Sequence, residues 1–77
     1  MKTSTDIVIH INESLDSQNR VTLSDKVKKM VGVVSASLSD AKPHFMIVGY
    51  NPSETKAYDV VNNVRKTGMH AQLISWL

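Results

Sequence analysis

Imidazoles and thioethers are the side chains of this chain best suited to a transition metal, because its 77 residues include three histidines and four methionines but no cysteine. His10, His44 and His70 lie in three different segments of the sequence. Two imidazoles bind Zn²⁺ or Cu²⁺ weakly, and a firm site needs a third or fourth ligand. The histidines are therefore either a weak transition-metal site or ordinary half-exposed surface residues.

The composition excludes several classes of protein. Without cysteine, the chain has no disulfide framework, zinc finger or catalytic thiol. Its net charge of +2 is too small to indicate nucleic-acid binding by itself. No G-x-S-x-G or H-E-x-x-H motif occurs, and the three glycines form no phosphate-binding loop. We therefore expect one domain, residues 1–77, without enzymatic activity.

The first half of the sequence predicts a strand, a helix and a second strand. Alternating β-branched residues predict the first strand at residues 6–12. Apolar residues at helical spacing predict a helix that Asn19 or Thr22 caps and Gly32 ends. Its buried stripe is expected to consist of Leu23, Val27, Met30 and Val31. The second strand is predicted at residues 33–38.

The second half predicts a hairpin, a helix and a last strand. A turn at residues 39–43 joins the second strand to a third at residues 44–50. Asn51 as cap and Pro52 in the first helical position predict the start of the second helix. Its buried stripe is expected to be Ala57, Val60 or Val61, and Val64. A fourth strand is predicted at residues 69–76. This order predicts an α+β ferredoxin-like βαββαβ sandwich, with a four-stranded antiparallel sheet and two helices on one face.

The sheet face turned away from the helices, called the open face below, is predicted to be largely apolar. Alternation assigns it Val8, His10, Phe45, Ile47, His70, Gln72, Ile74 and Trp76. A monomer seldom leaves such a patch in water, so its apolar members predict contact with a protein partner or a second copy. The alternatives are apolar residues that lie singly on the surface, or a face that stacks bases. The last alternative lacks both a recognition motif and a strong positive charge.

Four landmarks occur in order along the chain: the Gly32-Val33 pair, Ala36, the run at residues 48–52 and the run at residues 66–71. In order and spacing they resemble the heavy-metal-associated domain family. That family includes copper chaperones and the N-terminal domains of metal-pumping ATPases. The resemblance extends from about Asp6 to Leu73 and implies the same ferredoxin-like fold.

The resemblance also implies a metal loop before the first helix, where the family carries a Cys-x-x-Cys pair. Counting back from Gly32 places the two cysteine positions at Asp16 and Asn19. Soft Cu(I) prefers thiolates or thioethers, whereas carboxylate and amide oxygens are hard ligands. The metal site is therefore predicted to be degenerate. The family also has a residue close to this loop at the position of Met69.

Two functions are compatible with these observations. The first is a non-enzymatic binding module that acts through the open face, by self-association or by contact with a protein partner. The second is a copper or zinc carrier that uses His10, His70 and Met69, since the first and last strands are neighbours in this fold. No other cofactor is expected. No apolar stretch is long enough for a signal peptide or a membrane span, so we expect a cytoplasmic protein without membrane contact.

Overall fold

Four strands and two helices follow one another in the predicted order in the computed structural model, which describes residues 4–38 and 41–77. The elements are β1 (Thr5–Ile11), α1 (Ser17–Lys28), β2 (Val33–Leu38), β3 (Phe45–Tyr50), α2 (Ala57–Lys66) and β4 (Ala71–Trp76). Neighbouring strands pair antiparallel in the order β2-β3-β1-β4. The ferredoxin-like sandwich is therefore confirmed. Residues 39 and 40 of the predicted turn lie outside the described residues.

The hydrophobic core lies between one face of the sheet and the two helices. Alternate residues of β1 and β3 are buried, as expected for strands with one covered face. The largest fully buried side chains are Ile7, Ile9, Ile11, Val27, Met46, Val48, Val60, Val61 and Val64. Burying each contributes about 1.5–3 kcal/mol relative to exposure. The predicted stripe of α2 is confirmed, because both of its valine alternatives are buried together with Ala57 and Val64.

Helix α1 begins and ends earlier than the sequence predicted. Its N-cap is Asp16, so the prediction of Asn19 or Thr22 as cap was wrong. The helix closes where the backbone N–H of Met30 donates to the carbonyl of Val27, a tight three-residue turn. Val31, expected in the buried stripe, lies beyond the helix and is 80% exposed.

Helix α2 begins at Ala57, six residues after the predicted cap. The carbonyl of Asn51 accepts hydrogen bonds from the N–H groups of Glu54 and Thr55, which makes a separate turn. Lys56 then returns to extended geometry and serves as N-cap without a side-chain hydrogen bond. The turn packs against the positive-φ Gly32, where a Cβ atom would lie 2.8 Å from the Thr55 methyl group. The Asn51-Pro52 signal therefore starts this turn rather than the helix.

Each edge strand carries one unpaired extra residue. Between β2 and β3 the register passes from Val33–Tyr50 to Ser35–Gly49 and leaves out Val34. Between β1 and β4 it passes from Ile9–Leu73 to Val8–Ser75 and leaves out Ile74. Both omitted side chains are exposed, by 65% and 50% respectively. These are the geometries of β-bulges, which bend and twist a strand locally.

The bulge in β4 changes the face on which Trp76 lies. Strict alternation predicted this residue on the open face, but the register pairs it with Ile7, whose side chain is fully buried on the helix side. Opposite residues of an antiparallel pair share a face. The placement of Trp76 on the open face was therefore wrong. Strand β4 also starts at Ala71 rather than at residue 69, so His70 precedes the strand.

In the part of the chain that the structure describes, no helix has the length and apolar character needed to cross a lipid bilayer.

Candidate functional site

The end of the loop between β1 and α1 and the first turn of α1 contain Asp16 and Asn19, the two positions that the family resemblance predicted to correspond to cysteines. Asp16 adopts extended backbone geometry and caps α1. Its Oδ1 atom accepts a hydrogen bond from the backbone N–H of Asn19 at 2.8 Å. Cap residues of this kind satisfy one of the helix's unpaired N–H groups and contribute about 0.5–2 kcal/mol. Asp16 and Asn19 are thus joined to each other by a structural hydrogen bond.

The same loop is tied to the α2–β4 connection by Glu13 and His70. The Glu13 carboxylate accepts the backbone N–H of His70 at 2.9 Å and lies 2.5 Å from its ring Nδ1 atom. The ring contact, followed by the backbone hydrogen bond, lowers the pKa of Glu13. The His70 side chain is 82% exposed, whereas that of Glu13 is 29% exposed. His70 is therefore a partner of Glu13 at the surface.

Two further contacts hold the loop in place. Arg20, one turn into α1, donates from Nη1 to the carbonyl of Leu15 at 2.7 Å. Leu15 and Met69 are partly buried and pack against the core. Met69 therefore has a packing role. Both residues also line a small groove together with Asn19.

The predicted metal set of His10, His70 and Met69 is brought together only loosely. All three line one open groove. In the described part of the chain, however, neither a ring contact nor a hydrogen bond joins His10 to His70. No three histidine or carboxylate side chains converge on a metal position among residues 4–38 and 41–77. A three-ligand site at His10, His70 and Met69 stays a prediction.

His10 instead lies beside His44 and Phe45. The His10 and His44 ring centroids are 5.8 Å apart with an interplanar angle of 21°, and the Phe45 ring meets His10 edge-on at 5.6 Å. His44 is fixed by Ile11, whose N–H donates to the His44 carbonyl at 2.7 Å and whose carbonyl lies 2.8 Å from His44 Nδ1. The sequence alone could not predict that His44 lies beside His10, because this contact depends on how the residues before β3 pack against the end of β1.

The open face has an apolar centre. The register sets Val8 opposite Ile47 and His10 opposite Phe45 on the two central strands, so these side chains share the face as predicted. Phe45 is 38% and Ile47 is 44% exposed. Serines and an amide flank them on the edge strands, namely Ser37, Gln72 and Ser75. Ile74 is the unpaired bulge residue beside this centre.

One end of the open face is polar. Gly49 lies between Asp6 and Ser35 on the neighbouring strands. A Cβ atom at Gly49 would lie 2.8 Å from Asp6 Oδ1 and 2.7 Å from Ser35 Oγ, so both side chains close over the glycine. Among the strand residues that the structure describes, Asp6 is the charged side chain on this face. Interfaces are depleted of charge at their centres, and this face has that character.

Comparison with solved structures identifies the fold. A copper-binding domain of a P-type ATPase superposes with a TM-score of 0.84 at 15% identity, covering 94% of this chain and 96% of that one. The N-terminal domain of a potential copper-translocating P-type ATPase from Bacillus subtilis, in the Cu(I)-loaded state, gives 0.82 at 22% identity, covering 96% and 91%. A copper chaperone of Enterococcus hirae, in its apo form, gives 0.77 at 13% identity, covering 88% and 98%.

This chain has the fold of metal-binding domains. At these identities the similarity shows the fold alone. No family model matches the chain. No curated protein matches its sequence. The chain therefore combines the fold of metal-binding domains with a sequence that contains no cysteine.

Proposed function

We propose that this chain is a non-enzymatic binding module that keeps the fold of metal-binding domains but no longer binds Cu(I) in the β1–α1 loop. The observation that carries the proposal is the hydrogen bond from the Asn19 backbone N–H to the Asp16 carboxylate. At the two positions where the fold would place thiols, one side chain is committed to capping a helix. Its oxygen atoms are hard ligands, poorly matched to Cu(I).

A Cu(I) competition titration tests the lost site. We expect the wild-type chain to bind Cu(I) no more tightly than about 10 μM, or roughly −7 kcal/mol. The double variant Asp16→Cys with Asn19→Cys should gain tight binding, because thiolates return to the loop. The matched control Asp25→Cys with Lys28→Cys has the same spacing on the exposed part of α1 and should bind more weakly. Tight binding by the wild-type chain would contradict the proposal.

The binding surface in this proposal is the open face. Its centre is formed by Val8, Phe45 and Ile47 on the two central strands, and helices cover only the opposite side. Aromatic and aliphatic side chains without charge are typical of interface centres. Ile74 belongs to the edge of this surface. Trp76 lies beyond it, since its strand pairing directs it to the helix side.

Site-specific photo-crosslinking tests the surface. A benzophenone amino acid replaces Ile47, which is 44% exposed, or Tyr58 of α2, which is 68% exposed. We expect covalent adducts from position 47 and none from position 58, although position 58 is more accessible. Mass spectrometry then distinguishes a second copy from another protein. Equal yields at both positions, or adducts from α2 alone, would place the binding surface elsewhere.

A further inference from the structure

The His10–His44 pair has the features of half a metal site. A carbonyl oxygen can only accept, so the 2.8 Å contact with Ile11 requires the proton of His44 on Nδ1. The neutral ring then carries its lone pair on Nε2, and that nitrogen can ligate a metal. Metal-binding histidines are commonly oriented by this kind of hydrogen bond to a backbone carbonyl. His44 is therefore held in a ligating form before any metal arrives.

The spacing of the two rings fits a shared ion. Two imidazoles on one tetrahedral zinc, with Zn–N distances of about 2.0–2.1 Å, hold their ring centroids roughly 5–6 Å apart. The observed separation is 5.8 Å. In the described part of the chain, the His10 ring makes ring contacts but no hydrogen bond, so it can turn toward an ion without breaking one. Two imidazoles fill half of a tetrahedral site, and the remaining ligands must come from outside this copy.

A second copy can supply those ligands. Strands β1 and β3 are the central strands, and His10 on β1 lies opposite Phe45 on β3. A two-fold axis could run parallel to these strands and midway between them, in the plane of contact. Residues that lie opposite each other on β1 and β3 of one copy would then face the same pair of residues in the other copy. Packed sheets are about 10 Å apart, which imidazoles from both sides can span. Asp6, the charged strand residue described on this face, lies at its far end from His10, so no charges oppose one another at the centre.

The area of the open face explains why an ion would be needed. Four strands about 4.8 Å apart and six residues long cover roughly 400 Å² per copy, or about 800 Å² for two copies. Stable interfaces bury about 1,200–2,000 Å² in total. Contact between two copies through this face alone is therefore expected to be weak and transient, and a shared ion would stabilise it.

We propose that two copies of this chain pair through the open face around one borderline divalent cation, such as Zn²⁺, bound by His10 and His44 of each copy. This inference rests on the proposed function, because it takes the open face as the contact surface. It differs from the site of His10, His70 and Met69 in using His44 and in needing a partner copy. A bound ion of this kind stabilises the paired state by mass action.

Sedimentation velocity with added Zn²⁺ tests the pair. In the presence of a chelator, the full chain should sediment as an 8.5 kDa monomer. With half an equivalent of Zn²⁺ per chain, it should sediment at twice that mass. Calorimetry should give one ion per two chains. His10→Gln and His44→Gln should each weaken zinc affinity at least about 100-fold and abolish the doubling, since each removes two of four ligands. His70→Gln is the matched control and should leave both the zinc affinity and the doubling of mass unchanged.

Three results would overturn the inference. They are one zinc ion per chain without a change in mass, no binding at all, and equal loss in the His70→Gln variant. His10→Gln is the decisive variant, because no hydrogen bond of that side chain supports the fold in the described residues. If position 47 still gives photo-adducts while zinc has no effect, the binding module stands and only the zinc-linked pair is rejected.

Discussion

At the scale of single residues, Asp16 has a structural role, because its side chain caps α1. Its carboxylate is directed at the backbone N–H of Asn19, and Arg20 donates to the carbonyl of Leu15 just before it. Both contacts stabilise the start of α1. The loop is thus held by hydrogen bonds to its own backbone.

The contribution of the cap to stability can be measured by replacing Asp16. We expect Asp16→Ala to lower the free energy of unfolding by about 0.5–2 kcal/mol, because an N–H group of the first turn loses its acceptor. Asp16→Asn should lower the free energy of unfolding much less, since an asparagine oxygen caps a helix nearly as well as a carboxylate. Urea denaturation of the two variants beside the wild-type chain gives the comparison. Equal losses would mean that the charge of Asp16, rather than the cap, stabilises the loop.

At the scale of elements, helix α2 begins without a side-chain cap. Lys56 occupies the N-cap position, has extended geometry and makes no side-chain hydrogen bond to the helix. Its positive charge also lies at the positive end of the helix dipole. The preceding turn at Asn51 uses that residue's own side chain to accept the N–H of Ser53. Asn51, the strongest capping residue in this region, therefore stabilises the turn, and α2 has no side-chain cap.

A better cap should stabilise α2. We expect Lys56→Asp to raise the free energy of unfolding by about 0.5–1 kcal/mol, since it adds a capping oxygen and reverses the unfavourable charge. Lys56→Ala serves as control, because it removes the charge without adding a cap. Chemical denaturation followed by circular dichroism would resolve the difference. If alanine stabilises as much as aspartate, the charge alone is responsible.

The strands and the core could be predicted from the sequence, because alternation in β1 and the valine stripe of α2 are signals contained in short windows. The ends of the helices could not. Asp16 and Asn51 are both good capping residues, and only packing against Gly32 and the core decides that one starts a helix and the other a turn. The bulge at Ile74 and the meeting of His10 with His44 depend on register between distant strands, which no local pattern specifies.

At the scale of the whole molecule, the contact between Glu13 and His70 joins two loops that are 57 residues apart in sequence. It holds the β1–α1 loop to the start of β4 at one end of the sandwich. Because folding lowers the pKa of Glu13, its contribution to stability is fully present above the ordinary carboxyl pKa of about 4.3. That contribution is lost as the pH falls through the lowered value.

This linkage predicts a specific effect of acid on unfolding. Between pH 6 and pH 3, the melting temperature of the wild-type chain should fall further than that of Glu13→Gln, which has no charge to lose at this position. Glu54→Gln makes the same chemical change at an exposed carboxylate in the turn before α2 and should behave like the wild-type chain. Thermal melts at several pH values would show the difference. Parallel curves for wild type and Glu13→Gln would mean that the contact does not contribute to folding.

The extra residues Val34 and Ile74 also affect whether a strand from another chain can pair with the edges of the sheet. Both edge strands are interrupted by a bulge, so neither offers a straight, regular row of backbone groups to a strand from another chain. Addition at such edges would have no natural end and would lead to fibres. A two-fold contact through the open face would, in contrast, be complete with two copies. The bulges therefore disfavour open-ended addition of strands at either edge of the sheet.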